Sequence, residues 1–378
     1  MRPMKSVLLA ALCLLVFFTL LSCDGGQVTP PNGTEGEQPA GDCVTADELA
    51  RSVLALTCEM KNAEGSTVAI SDGSAVILSL EENGDAYLLT NYHVVHHSYA
   101  GGDAVCDSIT AAPVGAEEDD GLAATCLWFS RDYDLAFLHV AGLAQIFPGA
   151  APASINKDRQ ALWGETVFAV GNTRGLGISV HRGTVSRAYD YVTLPVTYQA
   201  SSIELRLIRF DAFVGKGDSG GALFAADGSL LGIVNARQTD NGGGYAIPVT
   251  TVAPIVDQLL TTAEGAPAAN SFYFGATLAE RVLRTEFDET TKTMRNVCEV
   301  YVRSLAYGSV ASAFLEEGDV LLSLSFNCVE VTIGRLHHVA DAFLSVSESD
   351  SLTLSFLRNG EKMQYTFTVA SAHMKSIT

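Results

Sequence analysis

Basic residues are scarce: the 378-residue chain carries 23 Lys and Arg against 43 Asp and Glu, a net charge of −20. Phosphate backbones are bound through clustered Lys and Arg, so this balance argues against a nucleic-acid partner. Long apolar runs are missing as well. The most extended, VLLAALCLLVFFTLL from Val7 to Leu21, falls short of the roughly 20 residues that cross a bilayer as a helix. No C-x-x-C pair and no Cys/His cluster at ligand spacing occurs, and HVVHH, His93 to His97, lacks the Glu of a zincin helix. No metal or cofactor is therefore expected. No internal repeat is apparent. What is present is ordinary for a folded chain: 48% hydrophobic and 17% charged residues, which excludes wholesale disorder and leaves room for two domains.

The N-terminus reads as a targeting segment, with Arg2 and Lys5 ahead of the apolar run. It ends in LLSC, Leu20 to Cys23, which resembles the lipobox of bacterial lipoprotein precursors. That resemblance implies a signal peptide over residues 1–22, lipidation at Cys23 and a chain anchored to a bacterial cell membrane, periplasmic or at the outer surface. Residues 23–43, rich in Gly, Pro and acidic residues, are expected to form a flexible tether. Apart from Cys13 in the signal segment and Cys23, six cysteines remain: Cys43, Cys58, Cys106, Cys126, Cys298 and Cys328. In an exported chain an even number favours disulfides, and spacing alone does not select a connectivity. Pairing of neighbours is the simplest expectation: Cys43 with Cys58, Cys106 with Cys126, and Cys298 with Cys328.

TADELARSVLALTCEM begins with Thr45 and places Glu48 three residues on, a capping-box pattern that opens a short helix. From Ser66 to about Val249 the chain changes to short β-rich runs separated by Gly, Asp and Asn, the signature of an all-β barrel or sandwich. Val249 to Leu260 reads as a closing helix, residues 261–271 as a linker, and residues 272–370 as a second domain with short helices at SVASAFL and HHVADAFLSV.

Acyl transfer by serine needs a base, a carboxylate that orients the base, and backbone donors for the oxyanion. Each has a candidate. Ser219 lies in GKGDSGGALF, where Gly217, Gly220 and Gly221 permit conformations that a side chain would obstruct. The amides of Gly217 and Ser219 form the expected oxyanion hole. His93, in LLTNYHVV at the end of a strand, is the candidate base. Asp134, in DYDLAFLHV, is the candidate orienter and Asp132 its rival; Asp134 is preferred because Leu135 continues directly into the strand.

Together TNYHVV, DYDLAFLHV and GKGDSGGALF, with GETVFAVGN, GTVS, GIVNA and GYAIPV, resemble the HtrA family of trypsin-like serine proteases over roughly residues 45 to 260. The resemblance implies a mainly β chain: a chymotrypsin-like double β-barrel over 44–260, followed over 272–370 by a small α+β PDZ domain. It implies His93 as base, Asp134 as orienter and Ser219 as nucleophile, and unfolded or damaged proteins as substrates of an endopeptidase. It also implies a homo-oligomer, a trimer in many relatives. In the PDZ domain YFGA resembles the carboxylate-binding loop, so Phe274, Gly275 and Ala276 would receive a peptide's C-terminus. The substrate pocket would be lined by Phe213, Val214, Asn235, Ala236 and Arg237. Digestive trypsins carry an Asp where Phe213 stands, so cleavage after small or medium apolar residues is expected, or after acidic ones should Arg237 turn inward. Two features depart from the family: Asp218 stands where Asn is usual, and a long hairpin insertion separates His93 from Asp134, with His96 and His97 expected on the surface. The alternative function is a PDZ-based peptide-binding or chaperone-like protein with little turnover.

Overall fold

Alternation of inward and outward side chains organises the first half of the protein. Along Val53–Lys61, Leu54, Leu56, Cys58 and Met60 are buried while Thr57 and Lys61 are exposed, the period expected of a strand with one face on a core. In this computed structural model residues 44–99, 102–116, 121–195, 202–238, 242–289 and 293–377 are described. The signal and tether segments, Cys23, Cys43 and the acidic run 117–120 lie outside the described residues. The mainly β class holds, but the first helix is shorter than TADELARSVLALTCEM allowed. Thr45 and Glu48 do form a reciprocal capping box over Ala46–Ala50; the strand period then takes over.

Six strands close the first barrel in the order Val53–Lys61, Thr67–Leu80, Ala86–Thr90, Leu135–Val140, Leu122–Ser130 and Ser108–Ala112. Six more close the second: Ile178–Pro195, Ser202–Phe210, Gly244–Pro248, Leu230–Arg237, Ala222–Ala225 and Thr166–Asn172. Leu54, Leu56, Ile77, Leu88 and Leu138 fill the first interior, and Val167, Val185, Ile208, Phe210 and Val234 the second. A third cluster joins residues of both barrels, Val76, Leu89 and Phe137 with Val170, Phe224 and Ile233, to the helix Val249–Thr261. That shared core fixes one barrel against the other, and the candidate site lies on their common edge.

The insertion after His93 forms the hairpin His96–Tyr99 with Gly102–Val105. His96 is not at the surface as expected: it is buried and its ring packs on Tyr92 with centroids 4.8 Å apart. The cysteines also depart from expectation. Cys58, Cys106, Cys126, Cys298 and Cys328 are all free thiols, and the two that meet are not one of the expected pairs. Cys58 points into the first barrel and meets Cys106 as a hydrogen-bond partner, whereas the Cys126 thiol donates to the Trp128 carbonyl. Cys298 sits two residues before Val300, which pairs with Leu321, while Cys328 lies beyond the far end of Val320–Phe326. At about 3.3 Å per residue that separates them by roughly 16 Å, too far for a disulfide.

The C-terminal domain is a sheet in the order Ala276–Asp288, Thr293–Leu305, Val320–Phe326, Ser351–Arg358 and Glu361–Thr368, with Val329–Thr332 paired to its middle strand and the helix Leu336–Ser345 packed against it. The segment expected as a free linker is instead clamped. Asn270 exchanges hydrogen bonds with Gln258 at 2.8 and 3.1 Å, and Asn270–Phe272 pairs with Met374–Ser376. Gln258 also donates to the Leu344 carbonyl, and Leu344 and Ile377 join the apolar cluster beneath Val249–Thr261. Across the same boundary Arg206 binds Asp341, Thr250 and Thr251. Small residues gave residues 261–271 a linker's composition; buried Ala263 and Ala269 show those residues serving close packing instead.

Candidate active site

The strand Ala86–Thr90 ends at Asn91, whose side chain donates to the Asp134 carbonyl at 3.0 Å and starts the short turn Tyr92–Val95. That contact carries His93 to Asp134, which itself adopts φ +51°, a left-handed conformation costly for a residue other than glycine. The strain has a visible compensation, because every oxygen of Asp134 is engaged. Oδ1 accepts the His93 backbone N–H at 2.9 Å, and Oδ2 pairs with His93 Nδ1 at 2.6 Å and accepts Asn235 Nδ2–H at 2.7 Å. Asp134 is buried while Asp132 is exposed. The choice between the two carboxylates thus falls to Asp134.

Burial works against the charged form of His93, but the Asp134 charge and hydrogen bond outweigh it and raise the imidazole pKa above its ordinary value. Nδ1 faces the carboxylate, leaving Nε2 for the cleft. Ser219 lies at the opposite barrel's edge and at rest its Oγ donates to the Asn235 carbonyl at 3.1 Å. Gly217, at φ +96°, is pressed so closely on Asn172 that a Cβ would come within 2.2 Å of its carbonyl oxygen; only glycine fits. Among the described residues the Gly217 and Ser219 N–H groups have no protein acceptor. Two free donors beside a serine match the geometry of an oxyanion hole.

Asp218, the departure from family pattern, caps its own loop. Its carboxylate accepts the Gly215 N–H at 2.7 Å and the Thr173 hydroxyl at 2.7 Å, and burial raises its pKa against those two bonds. Its role is filled within the chain.

The expected substrate pocket is only partly assembled from the residues proposed for it. Phe213 is 40% exposed, with the Arg174 guanidinium 5.8 Å from its ring centroid, and Ala236 and Arg237 are accessible. Val214 is instead buried in the second barrel's core, and Asn235 is turned inward to hold Asp134. Both lie on the backbone that borders the cleft, which is why position alone selected them, but their side chains face the other way. Asn235 as a ligand of Asp134, and Arg174 over Phe213, carried no signal in the sequence.

In the C-terminal domain Gly275 adopts φ +76°. Its carbonyl accepts the Ala306 N–H and the Ser309 hydroxyl, and the Phe274 carbonyl accepts the Ala311 N–H. The carbonyls of the YFGA loop are tied back, while Phe343 of the helix packs on Phe272 and Phe274.

Two closed barrels sharing a His-Asp pair, a serine and paired free amides define the class of chymotrypsin-fold serine hydrolases. Residues 73–233 match the sequence model of a trypsin-like peptidase domain. The chain is 29% identical over 303 residues to the serine protease Do-like HtrA of Bacillus subtilis (strain 168), covering 77% of this chain and 62% of that protein. It is 32% identical over 232 residues to a probable periplasmic serine endoprotease DegP-like of Brucella suis biovar 1, covering 60% of this chain and 38% of that protein. It therefore spans less than two thirds of the length of these relatives. The solved HtrA-type protease AlgW with tripeptide shares the fold at a TM-score of 0.57 and 23% identity, over 87% of this chain and 97% of that one. The protein thus carries a trypsin-like peptidase domain and is similar in sequence to HtrA-type serine proteases.

Proposed function

We propose that this protein is an endopeptidase that cleaves unfolded or damaged polypeptides through an acyl-enzyme. The observation that carries the reading is the His93–Asp134 pair, with Nε2 left open, set across the barrel boundary from Ser219 and two unpartnered amides. Ser219 Oγ attacks the scissile carbonyl carbon and its proton passes to His93 Nε2. Asp134 holds the imidazolium, and the Gly217 and Ser219 amides receive the oxyanion. Collapse breaks the C–N bond, with His93 returning the proton to the leaving amine. Water, deprotonated by His93, then hydrolyses the ester. The resting bond from Ser219 Oγ to the Asn235 carbonyl must break first, a rearrangement within reach of a side-chain rotation.

The C-terminal domain acts as a PDZ module in this reading: its tied-back loop leaves the amides around Phe274, Gly275 and Ala276 for a chain-terminal carboxylate. Lipidation at Cys23 would hold the enzyme outside the cytoplasm, in keeping with the periplasmic relative. Degradation of casein by the wild type and its loss in Ser219→Ala test the reading. Binding of casein without turnover by the wild type would favour the chaperone-like alternative.

A further inference from the structure

Ser74 belongs to the first barrel, on Thr67–Leu80, and is fully buried. It nevertheless grips the nucleophile loop of the second barrel twice. Its N–H donates to the Ser219 carbonyl at 2.8 Å and its Oγ donates to the Gly217 carbonyl at 2.7 Å. The same Oγ accepts the Asn172 N–H at 2.8 Å, so the hydroxyl is used in both directions. Thr90 Oγ1 donates to the Ser74 carbonyl at 2.7 Å, and a Cβ on Gly220 would lie 2.1 Å from that carbonyl oxygen. The loop is seated directly on this residue.

In a trans peptide the N–H and the C=O point in opposite directions, so whatever holds a carbonyl aims the next amide. The loop's carbonyls are held one after another. Arg174 N–H takes Lys216 at 2.6 Å, Ser74 Oγ takes Gly217, Gly221 N–H takes Asp218 at 2.9 Å, and Ser74 N–H takes Ser219. With the Lys216 and Asp218 carbonyls tied back, the Gly217 and Ser219 amides face the opposite way, together. The peptide between them is the one Ser74 Oγ anchors, and its rotation would swing one donor relative to the other.

We propose that Ser74 is a positioning residue for the oxyanion hole, its hydroxyl fixing the Gly217–Asp218 peptide so that the hole is formed before substrate arrives. This rests on the peptidase reading above. The hydroxyl touches no reacting atom, so its loss should weaken transition-state binding and leave ground-state binding alone.

The test compares wild type, Ser74→Ala and Ser74→Thr on a short peptide substrate and on two inhibitors. One is a peptide boronate, whose tetrahedral adduct with Ser219 places an oxygen in the hole; the other is the same peptide without the boronate. Removing an oxyanion donor outright costs about 10²–10³ in kcat; misaligning one through Ser74→Ala should cost roughly 10–100-fold in kcat with KM unchanged. Boronate affinity should fall in parallel and plain-peptide affinity should hold. Ser74→Thr, which keeps the hydroxyl, should recover part of the loss. Unchanged kcat in Ser74→Ala, or equal weakening of both inhibitors, would overturn the proposal. Should Ser74→Ala fail to fold, Ser74→Cys fills the site with a weaker donor and is judged by the same criteria. A wild type that cleaves nothing would overturn the peptidase reading itself, and this one with it.

Discussion

Asp134 is where the chemistry of single residues can be tested most sharply, because its carboxylate alone joins His93 and Asn235. Asp134→Asn keeps the shape but offers Nδ1 the wrong hydrogen-bond partner, and kcat should fall on the order of 10⁴, whereas exposed Asp132→Asn should change it little; steady-state kinetics of both variants checks this. The raised pKa of His93 has a sign that can be checked as well. The base must be neutral to act, so kcat/KM should rise with pH through a limb centred above the ordinary histidine value of about 6.5. The stabilisation from the His93–Asp134 ion pair runs the other way: it is fully present below the unfolded pKa and lost as pH rises through the folded one. Asn in place of Asp134 should move the kinetic limb downward. His93, Asp134 and Ser219 could be picked out as candidates because each sits in a short motif with its local structure attached. Asn235 and Ser74 were not, since what they hold lies 101 and 143 residues away in the chain, and only the closed barrels bring those partners together.

Among elements, the strands of the two barrels and the helix Val249–Thr261 were visible as short apolar runs between turn residues. The cysteine pairs were not, because a disulfide depends on register and inward direction, which spacing along the chain does not carry. Cys58 and Cys106 are brought together by a strand of the first barrel and the end of the hairpin after His93. The thiol contact and burial raise the pKa of Cys58, and the same contact lowers that of Cys106, so Cys106 is the more readily ionised of the two and the attacking partner. Oxidation by a small disulfide, which is reduced to two thiols in exchange, should therefore yield the Cys58–Cys106 crosslink. Non-reducing peptide mapping should find that pair, with Cys298 and Cys328 unlinked; a Cys106–Cys126 crosslink as the main product would contradict the arrangement.

At the scale of the whole molecule, a separate sheet after the two barrels was legible in the sequence, yet the character of the junction was not. Residues 261–271 look like a tether and are packed as a seam, closed by Gln258, Asn270 and the Arg206–Asp341 pair. Deleting residues 271–378 would uncover the apolar face that Leu344 and Ile377 cover. The truncated protein should melt at a lower temperature and tend to aggregate, and Arg206→Ala should lower the melting temperature in the same direction by leaving Asp341 unpaired; scanning calorimetry reads both. The proposed nucleophile of the molecule is Ser219, activated by His93 across the barrel boundary. Treatment with a fluorophosphonate followed by peptide mass spectrometry tests it most directly. The adduct is expected on Ser219 alone, to be lost in His93→Ala, and to be absent from every other serine. An unlabelled Ser219 in the folded wild-type protein, or equal labelling in His93→Ala, would contradict the account.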